Sequence, residues 1–538
     1  MYDIVFHPAE MRQPGDMKKT QAERTREHIM ACVEKLSEWI GRQALLDEKT
    51  LQRHINQRPA MPITVFRNLD DEELCRIWEL EPWIDGMDVE PRYVRDYKLP
   101  GVLSQTLGFT ANYRHENEFS GTDYSRIYVQ PDQIGRSGLE LEYDKELSGM
   151  AGATLVRVDP LGYAHETLPG TLPVFNGMDL LLTIDSRAQQ LGEQLLQGHK
   201  GSIVVLDANT GAVIVMASSP SFSLDELTTD SYRFMNQDNE NKPMLNRAVN
   251  AQYTPGSLVK PLVGLAALEC GVIDTEWRYN CIGYLKIGDQ KIRCARHAGH
   301  GELDVYDAIT VSCNPFFMAA GLRAKLAHLE PMFQAAGFGE KTGIDFLEFA
   351  KGLCPSKKAA KELYNRNWLI IDTAYCSMGQ GLIQVTPLQV AVYCAALANG
   401  GNVMRPYLVQ EIRDSEGGIV RQTLPVVRGH LPVSGQNMEV IRSAMGNVVE
   451  SDSGSAKLLR NLTQKDSNGQ EARVYVAAKT GTAEIGTGEQ KTKDTWMIVF
   501  GPLPEAKYAF ACVIEHGDSG GRTVGPIAFE FWKQWLNM

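Results

Sequence analysis

The chain has 538 residues, which is too long for one ordinary domain and long enough for a large core and a second module. Hydrophobic residues make up 43% and charged residues 22%, as in ordinary globular proteins, and a formal net charge of -12 argues against a nucleic-acid-binding surface. No stretch approaches the roughly 18–20 consecutive apolar residues of a membrane span, and the amino-terminal segment is too polar for a secretory signal. We therefore expect the chain as given to carry no anchor and no targeting signal.

The first part of the chain, residues 1–175, mixes amphipathic helical patterns with segments that Pro and Gly interrupt. The clearest helical pattern covers residues 25–40. No convincing catalytic constellation occurs in this part. We interpret it as a scaffold domain.

The pattern changes at Gly177-Met178-Asp179, and we place a second domain at residues 176–538. Its first elements are predicted as a strand at 180–184, a helix at 186–198, and strands at 202–206 and 212–217 about an Asn209-Thr210-Gly211 turn. A succession of strand, helix and strand therefore opens this domain.

A serine and a lysine stand three residues apart in Ser257-Leu258-Val259-Lys260, at the head of an apolar run. The run predicts a helix that ends near Cys270-Gly271, which places the hydroxyl and the amine one turn apart on one face. A serine hydroxyl needs an adjacent base to become a nucleophile. Lys260 can be that base if burial or a nearby cation lowers its pKa. Taken alone, the pair is better explained as a helix N-cap followed by a solvated lysine.

Cys281 and Cys294 flank a segment, residues 283–291, that predicts a β-hairpin with Gly288-Asp289 at its turn. Free thiols are slightly favoured over a disulfide across this hairpin. A zinc site that also uses His297 and His300 is the least favoured of the three hypotheses.

Two further polar motifs follow. In Ser312-Cys313-Asn314, Ser312 could relay a proton between Lys260 and a leaving amine, and Asn314 could hold the amine of Lys260 and a substrate amide. The motif is also explained as a helix-to-loop junction.

Lys479-Thr480-Gly481-Thr482 combines an amine, two hydroxyls and a glycine that leaves this wall open, a set suited to a substrate carboxylate. The lysine also supplies the second cation near Lys260. Backbone N–H groups of Ser257 and Thr482 are the predicted oxyanion donors. A strand that ends in a bulge is the alternative explanation of this motif.

The carboxyl end predicts three successive strands, at 474–482, 495–500 and 508–514, and a closing helix at 526–536. Strands at both ends of the second domain, with helices between them, indicate an α+β fold in which the first and last strands meet in one antiparallel sheet flanked by helices.

Ser-x-x-Lys, Ser-x-Asn and Lys-Thr-Gly occur here in the order found in penicillin-binding proteins and serine β-lactamases. The chain resembles class B penicillin-binding proteins of the elongation type. The resemblance extends to the following segments: residues 201–222, Asn246-Arg247-Ala248, Gly379-Gln380-Gly381, Thr386-Pro387-Leu388-Gln389, Ala398-Asn399-Gly400-Gly401, Val89-Glu90-Pro91-Arg92-Tyr93, Leu107-Gly108-Phe109, Gly138-Leu139-Glu140 and Tyr143-Asp144.

This resemblance implies a penicillin-binding, serine β-lactamase-like transpeptidase domain preceded by an elongated non-catalytic pedestal. It implies a peptidoglycan D,D-transpeptidase that cross-links stem peptides through a Ser257 acyl-enzyme, is acylated by β-lactams and needs no metal or organic cofactor. It further implies a membrane-embedded glycan polymerase as partner and a place at the extracytoplasmic, periplasmic face of the bacterial inner membrane. The family's membrane helix and the Arg-Gly motif that follows it are missing, so we expect the chain to begin inside the pedestal.

Other functions stay open beside this one. A D,D-carboxypeptidase or a β-lactamase would use the same groups with water as acceptor. A β-lactam sensor would need a signalling domain, which the sequence does not reveal. A non-catalytic scaffold is disfavoured because all three motifs are intact.

Overall fold

The computed structural model of the chain describes residues 1–14, 19–57, 60–80, 82–91, 94–112, 133–150, 152–158, 164–465, 469–486 and 491–538. Arg92 and Tyr93, which end one of the quoted segments, lie outside the described residues. The chain forms two compact units, one drawn from residues 1–98, 111–134 and 148–177 and the other from 99–110, 135–147 and 178–538. The last change of unit lies two residues beyond the boundary predicted after residue 175. The segments 99–110 and 135–147 were not predicted to join the second unit.

The elements that precede residue 178 are, in chain order, β1 (Tyr2–Phe6), α1 (Gln21–Ile40), α2 (Glu48–Gln57), β2 (Ile63–Leu69), α3 (Asp71–Trp78), β3 (Met87–Pro91), α4 (Ser104–Leu107), β4 (Thr110–Asn112), β5 (Gln133–Gly135), α5 (Gly138–Glu142), α6 (Asp144–Ser148), β6 (Ala153–Val158) and β7 (Ala164–Leu172). In the first unit, β1 is the central strand of an antiparallel sheet in the order β2-β1-β3.

Helix α1 is defined by capping residues at both ends and by one apolar face. Thr20 and Glu23 form a capping box at its start, and Gly41 ends it in a left-handed conformation. Ile29, Val33 and Leu36 are buried at helical spacing, so the helix packs one apolar face into the core of the first unit. The predicted helix at 25–40 is thus confirmed and begins four residues earlier.

The elements of the remaining chain are β8 (Asp179–Leu182), α7 (Ser186–Leu195), β9 (Gly201–Asp207), β10 (Val213–Ser219), α8 (Thr229–Gln237), α9 (Arg247–Asn250), α10 (Lys260–Glu269), β11 (Tyr279–Cys281), β12 (Tyr284–Ile287), β13 (Gln290–Arg293), β14 (Gly301–Leu303), α11 (Val305–Thr310), α12 (Asn314–Ala324), α13 (Leu326–Ala335), α14 (Lys357–Tyr364), α15 (Ile370–Ser377), α16 (Pro387–Ala398), β15 (Asn402–Met404), β16 (Val409–Arg413), β17 (Ile419–Gln422), β18 (Val427–His430), α17 (Gly435–Glu450), β19 (Thr463–Lys465), β20 (Glu471–Arg473), β21 (Ala477–Ile485), β22 (Thr492–Gly501), β23 (Tyr508–Ile514) and α18 (Gly525–Trp535). Short 3-10 helices cover Gly256–Val259 and Lys457–Asn461.

The second unit is built on a five-stranded antiparallel sheet in the order β10-β9-β23-β22-β21. Its first long strand, β9, pairs with its last, β23, so that Ile203 lies opposite Cys512. The predicted α+β fold with an antiparallel sheet is therefore confirmed. The predicted strand at 474–482 begins later, at Ala477, because the N–H of Val474 donates to the carbonyl of Leu462 instead of joining the sheet.

Helices cover this sheet. All twelve residues of α16 are buried, and the helix packs against β9, β22 and β23. Helix α18 packs against α7, and its Phe531 ring lies 5.4 Å from the ring of Phe510 in β23. The sheet and α16 thus form a rigid support for β21, which lies at the sheet edge.

Within the described ranges, no helix combines the length and the apolar character needed to cross a membrane.

Candidate active site

Ser257 lies in the 3-10 turn that leads into α10 and is half-buried. The preceding Gly256 has a φ of +56°, and its N–H donates to the carbonyl of Gly379 over 2.9 Å. A Cβ on Gly256 would lie 2.8 Å from the carbonyl oxygen of Thr482 in β21. The serine is therefore held by a turn packed directly against the backbone of that strand, with room only for glycine before it.

Lys260, one turn further on, is completely buried. Its Nζ donates to the carbonyl of Ser312 (2.6 Å), to Oγ of Ser312 (3.1 Å) and to Oδ1 of Asn314 (2.7 Å). Burial disfavours the charged amine and lowers the pKa of Lys260 to about 8. A substantial neutral fraction of this amine is thus available near physiological pH.

Lys479 in β21 is also completely buried, and its Nζ donates to Oγ of Ser312 over 2.9 Å and to the carbonyl of Thr480 over 3.0 Å. Burial, with the charge of Lys260 as a second cause, lowers its pKa well below the ordinary value for lysine. The hydroxyl of Ser312 therefore lies between two amines.

The turn that carries Ser312 has an unusual backbone conformation. Ser312 has a φ of +56°, a left-handed conformation that non-glycine residues rarely adopt, and the next residue donates its N–H to the carbonyl of Ala308. Asn314 then begins α12, with a proline at the next position. The motif is indeed a helix-to-loop junction, and this geometry aims its polar groups at Lys260.

The remaining residues of the β21 motif are less exposed than predicted. Oγ1 of Thr480 lies 2.6 Å from Oγ of Ser455, and Oγ1 of Thr482 accepts the N–H of Gly520 over 3.3 Å. Gly481 does not leave the wall open, because it is buried and a Cβ there would lie 3.0 Å from both the carbonyl of Pro255 and Cγ of Leu258. The glycine instead permits close packing of β21 on the nucleophile turn.

Two hydrogen bonds that support the Ser257 turn were not predicted from the sequence. The hydroxyl of Tyr393 in α16 donates to the carbonyl of Leu258 over 3.1 Å, and the indole N–H of Trp496 donates to the carbonyl of Thr254 over 3.1 Å. These two bonds hold the residues on either side of Ser257. The sequence indicated only that α16 and β22, the elements that carry Tyr393 and Trp496, are apolar.

All ten cysteines are free thiols, so the disulfide across the 283–291 hairpin is not formed. The hairpin itself is confirmed as β12 and β13. Sγ atoms of Cys281, Cys294 and Cys313 and a ring nitrogen of His300 lie within 4.8 Å of one another, a donor set that could hold a metal ion. His297, the other predicted ligand, is exposed and does not belong to this cluster, which we call the thiol cluster.

The arrangement can perform acyl transfer. A half-buried hydroxyl stands at the start of a helix whose next turn carries a lysine with a lowered pKa, and a second hydroxyl joins that lysine to another amine. Backbone N–H groups of Ser257 and Thr482 belong to two segments in van der Waals contact, as an oxyanion hole requires.

Comparisons with known proteins agree with this chemistry. Residues 201–533 match the model for the penicillin binding protein transpeptidase domain, and residues 4–182 match that for the penicillin-binding protein dimerisation domain. The chain is 26% identical over 495 residues to the peptidoglycan D,D-transpeptidase MrdA of Acinetobacter baumannii, covering 87% of this chain and 70% of the relative. It is 26% identical over 463 residues to the stage V sporulation protein D of Bacillus subtilis, covering 84% and 62%.

Solved structures show the same fold. PBP2 of Pseudomonas aeruginosa in complex with WCK 5153 is 27% identical with a TM-score of 0.67, over 83% of this chain and 92% of that one. PBP2 of Helicobacter pylori in its complex with MreC is 23% identical with a TM-score of 0.78, over 99% of this chain and 93% of that one, and shares the fold.

Gly379→Ala is expected to slow acylation of Ser257 by about 10- to 100-fold, because displacement of a reacting group by about 1 Å has effects of that size. Gly379 has a φ of +76°, and a Cβ there would lie 1.8 Å from the carbonyl oxygen of Gly256. The substitution would push the nucleophile turn out of place. The measurement is the second-order rate constant for acylation by a fluorescent penicillin.

Gly400→Ala is the matched control, since Gly400 has a φ of +84° but a Cβ there would meet no atom within 4 Å. It should cost about 1–2 kcal/mol of stability from the left-handed conformation and leave the rate unchanged. Equal rates in the two variants would show that Gly379 does not position the nucleophile.

The acylation rate should depend on pH through Lys260. Because burial lowers its pKa to about 8, the base is protonated at lower pH. The rate constant should then rise about tenfold per pH unit below this value and level off above it. A pH series of the same labelling reaction measures this, with Ser257→Ala as the blank. A rate that is constant or falls as the pH rises through 8 would contradict Lys260 as the base.

Proposed function

Because the chain belongs to the class B penicillin-binding proteins, peptidoglycan D,D-transpeptidases that work through a serine acyl-enzyme and are targets of β-lactams, we propose that it cross-links stem peptides during cell-wall elongation with Ser257 as nucleophile. The observation that carries the assignment of residues is the contact of both Lys260 and Lys479 with the hydroxyl of Ser312, beside the Ser257 turn.

In the first half-reaction, Oγ of Ser257 attacks the carbonyl carbon of the penultimate D-Ala of a stem pentapeptide. Lys260 takes the hydroxyl proton, since its lowered pKa leaves it partly neutral. The developing oxyanion accepts hydrogen bonds from the N–H groups of Ser257 and Thr482. Collapse of the tetrahedral intermediate breaks the peptide bond and leaves an ester on Ser257.

The leaving D-Ala amine must receive a proton. Ser312 is placed for this step, because its hydroxyl contacts Nζ of Lys260 on one side and Nζ of Lys479 on the other. The proton taken by Lys260 passes through Ser312 to the amine. Asn314 keeps Nζ of Lys260 in position through its Oδ1 and is the residue we assign to a substrate amide.

We assign substrate binding to the Lys479-Thr480-Gly481-Thr482 motif in β21. The terminal carboxylate of the stem would meet the hydroxyls of Thr480 and Thr482, with the amine of Lys479 behind them. Nζ of Lys479 is already engaged with Ser312 and with the carbonyl of Thr480. We therefore assign it to organise the proton relay through Ser312, while Gly481 allows the strand to approach the nucleophile turn.

In the second half-reaction, an amine of a neighbouring stem attacks the ester carbonyl under the same oxyanion donors, and Lys260 accepts its proton. The ester bond to Ser257 then breaks, and Lys260 returns the proton to Oγ of Ser257. A D,D-carboxypeptidase or a β-lactamase would use water at this step. A transpeptidase domain that follows a dimerisation domain, residues 4–182, favours the amine acceptor. No residue at the site requires a metal for this chemistry.

The elongation role is supported by the share of each relative that the chain covers. It spans 70% of MrdA from Acinetobacter baumannii and 62% of the Bacillus sporulation protein. A sporulation transpeptidase is the second candidate because that relative matches at the same identity, 26%. We further propose a periplasmic position at the inner membrane, with residues 1–175 as the pedestal, residues 176–538 as the catalytic domain, and a membrane-embedded glycan polymerase as partner.

Ser257→Ala is expected to abolish labelling by a fluorescent penicillin and to remove the rod shape of cells in which it replaces the wild-type protein. Without the hydroxyl no acyl-enzyme can form, and an elongation enzyme is needed for side-wall growth. Intact mass of the purified protein and microscopy of the source bacterium are the two readouts. Ser443→Ala, in an exposed turn of α17, is the matched control.

A wild-type adduct that persists for hours supports the transpeptidase, whereas one lost within minutes identifies a β-lactamase. Labelling that survives in Ser257→Ala would overturn the assignment of the nucleophile. If cells carrying Ser257→Ala are normal rods but form defective spores, the enzyme acts in sporulation and not in elongation.

A further inference from the structure

Ser455 contacts the β21 motif but takes no part in the proposed reaction. It lies half-buried in the loop that follows α17, and its Oγ lies 2.6 Å from Oγ1 of Thr480. Thr480 keeps only 8% of its surface exposed, so its hydroxyl has few neighbours to which it can turn. A second hydroxyl at this distance can therefore decide in which direction Thr480 donates its hydrogen.

Close backbone contacts hold Ser455 from two sides. The N–H of Ala456 donates to the carbonyl of Val448 in α17 over 3.1 Å, and a Cβ on Gly454 would lie 2.2 Å from that carbonyl oxygen. On the other side, a Cβ on Gly521 would lie 2.5 Å from the carbonyl oxygen of Ser455. Helix α17 itself packs against β21. The position of Ser455 beside this strand is therefore fixed by the fold and does not depend on its hydroxyl contact alone.

The second hydroxyl of the motif has a donor of its own. The N–H of Gly520 donates to Oγ1 of Thr482 over 3.3 Å. A Cβ on Gly520 would lie 2.3 Å from the carbonyl oxygen of Trp496 and 2.7 Å from that of Gly481, so a glycine is needed for this N–H to approach the strand. Because Oγ1 of Thr482 accepts this bond, the hydroxyl hydrogen of Thr482 can be donated to a substrate.

The contact between Ser455 and Thr480 has the same consequence if Ser455 is the donor. A hydroxyl carries one hydrogen, so a Thr480 oxygen that accepts from Ser455 directs its own hydrogen elsewhere. Thr480 and Thr482 stand two positions apart on one face of β21. Two donated hydrogens on one strand face suit the two oxygens of a carboxylate, a group that only accepts.

These hydroxyls matter more because the neighbouring amine is already engaged. Nζ of Lys479 donates to Oγ of Ser312 and to the carbonyl of Thr480. Burial also lowers the pKa of Lys479, which weakens its charge as an attraction for an anion. The hydroxyl hydrogens are therefore the groups that remain to distinguish a carboxylate from an uncharged ester.

We propose that Ser455 is a positioning residue for substrate recognition, whose hydroxyl donates to Oγ1 of Thr480 and so turns the Thr480 hydrogen toward the carboxylate of the substrate. Gly520 acts on Thr482 in the same way through its N–H. This inference rests on the proposed function, in which the two threonine hydroxyls bind the terminal carboxylate of the stem. The ligand class selected is an acyl compound with a free carboxylate next to the bond that Ser257 attacks.

The test compares benzylpenicillin with its methyl ester, which lacks the negative charge. Intact mass follows acylation of Ser257, and the measured quantity is the ratio of the second-order rate constants, acid over ester. Ser455→Ala should lower this ratio about tenfold, because a hydrogen bond to a charged group is typically worth that factor or more. The loss should fall on the acid, while the rate with the ester stays close to that of the wild type.

Further variants make the test specific. Ser455→Thr keeps the hydroxyl and should keep the ratio. Ser453→Ala removes a hydroxyl of the same loop whose partner is Oγ of Ser451, 2.9 Å away, and should leave both rates unchanged. Thermal unfolding establishes that each variant is folded. If Ser455→Ala does not fold, Ser455→Cys takes its place, and its weaker donor should also lower the ratio.

Equal slowing with the acid and the ester in Ser455→Ala would mean that Ser455 only supports the fold around β21, and this result would overturn the proposal. A wild-type ratio near one would do the same, because the threonine hydroxyls would then not recognise a carboxylate. Absence of Ser257 labelling by either compound contradicts the proposed function instead. In that case the ratio of the dissociation constants of ester and acid, measured by NMR titration with and without Ser455→Ala, still decides the role of Ser455.

Discussion

Two buried lysines that meet at one serine hydroxyl are the interaction on which this site depends. Lys260 and Lys479 come from a helix and a sheet-edge strand, and Oγ of Ser312 lies 3.1 Å and 2.9 Å from their amines. Keeping two ammonium groups charged in this buried space would be costly, so the fold lowers their pKa values. The glycines at 256, 379 and 481 let the supporting backbone segments approach closely enough to enforce this arrangement.

Sequence patterns predicted the catalytic fold better than the scaffold. Strands β9 and β23 were located within one residue because both are continuous, buried apolar runs. Their pairing followed from their positions at the two ends of the domain. Strands β1 and β3 were not predicted because five residues of mixed polarity carry little periodicity. The transfer of segments 99–110 and 135–147 to the second unit is a tertiary effect without a local signal.

The motifs identified the reactive groups, and the structure links them by hydrogen bonds from Lys260 to Ser312 and Asn314 and from Lys479 to Ser312. What the sequence could not supply was the set of contacts between residues far apart in the chain. The bond from Tyr393 to Leu258 spans 135 positions. The sequence predicted no role for Cys313, yet its thiol lies in the same cluster as those of Cys281 and Cys294. His297 was a candidate by its spacing but is exposed, because its loop turns at Gly299 to present His300.

Burial makes Lys260 a base by lowering its pKa. The direct measurement is an NMR titration of the chain labelled with ¹³C at the lysine side-chain methylenes, with Lys260→Met used to assign the signal. We expect this lysine to titrate near pH 8, well below the ordinary lysine pKa of about 10.4. A signal for Lys260 that titrates with the surface lysines would contradict it.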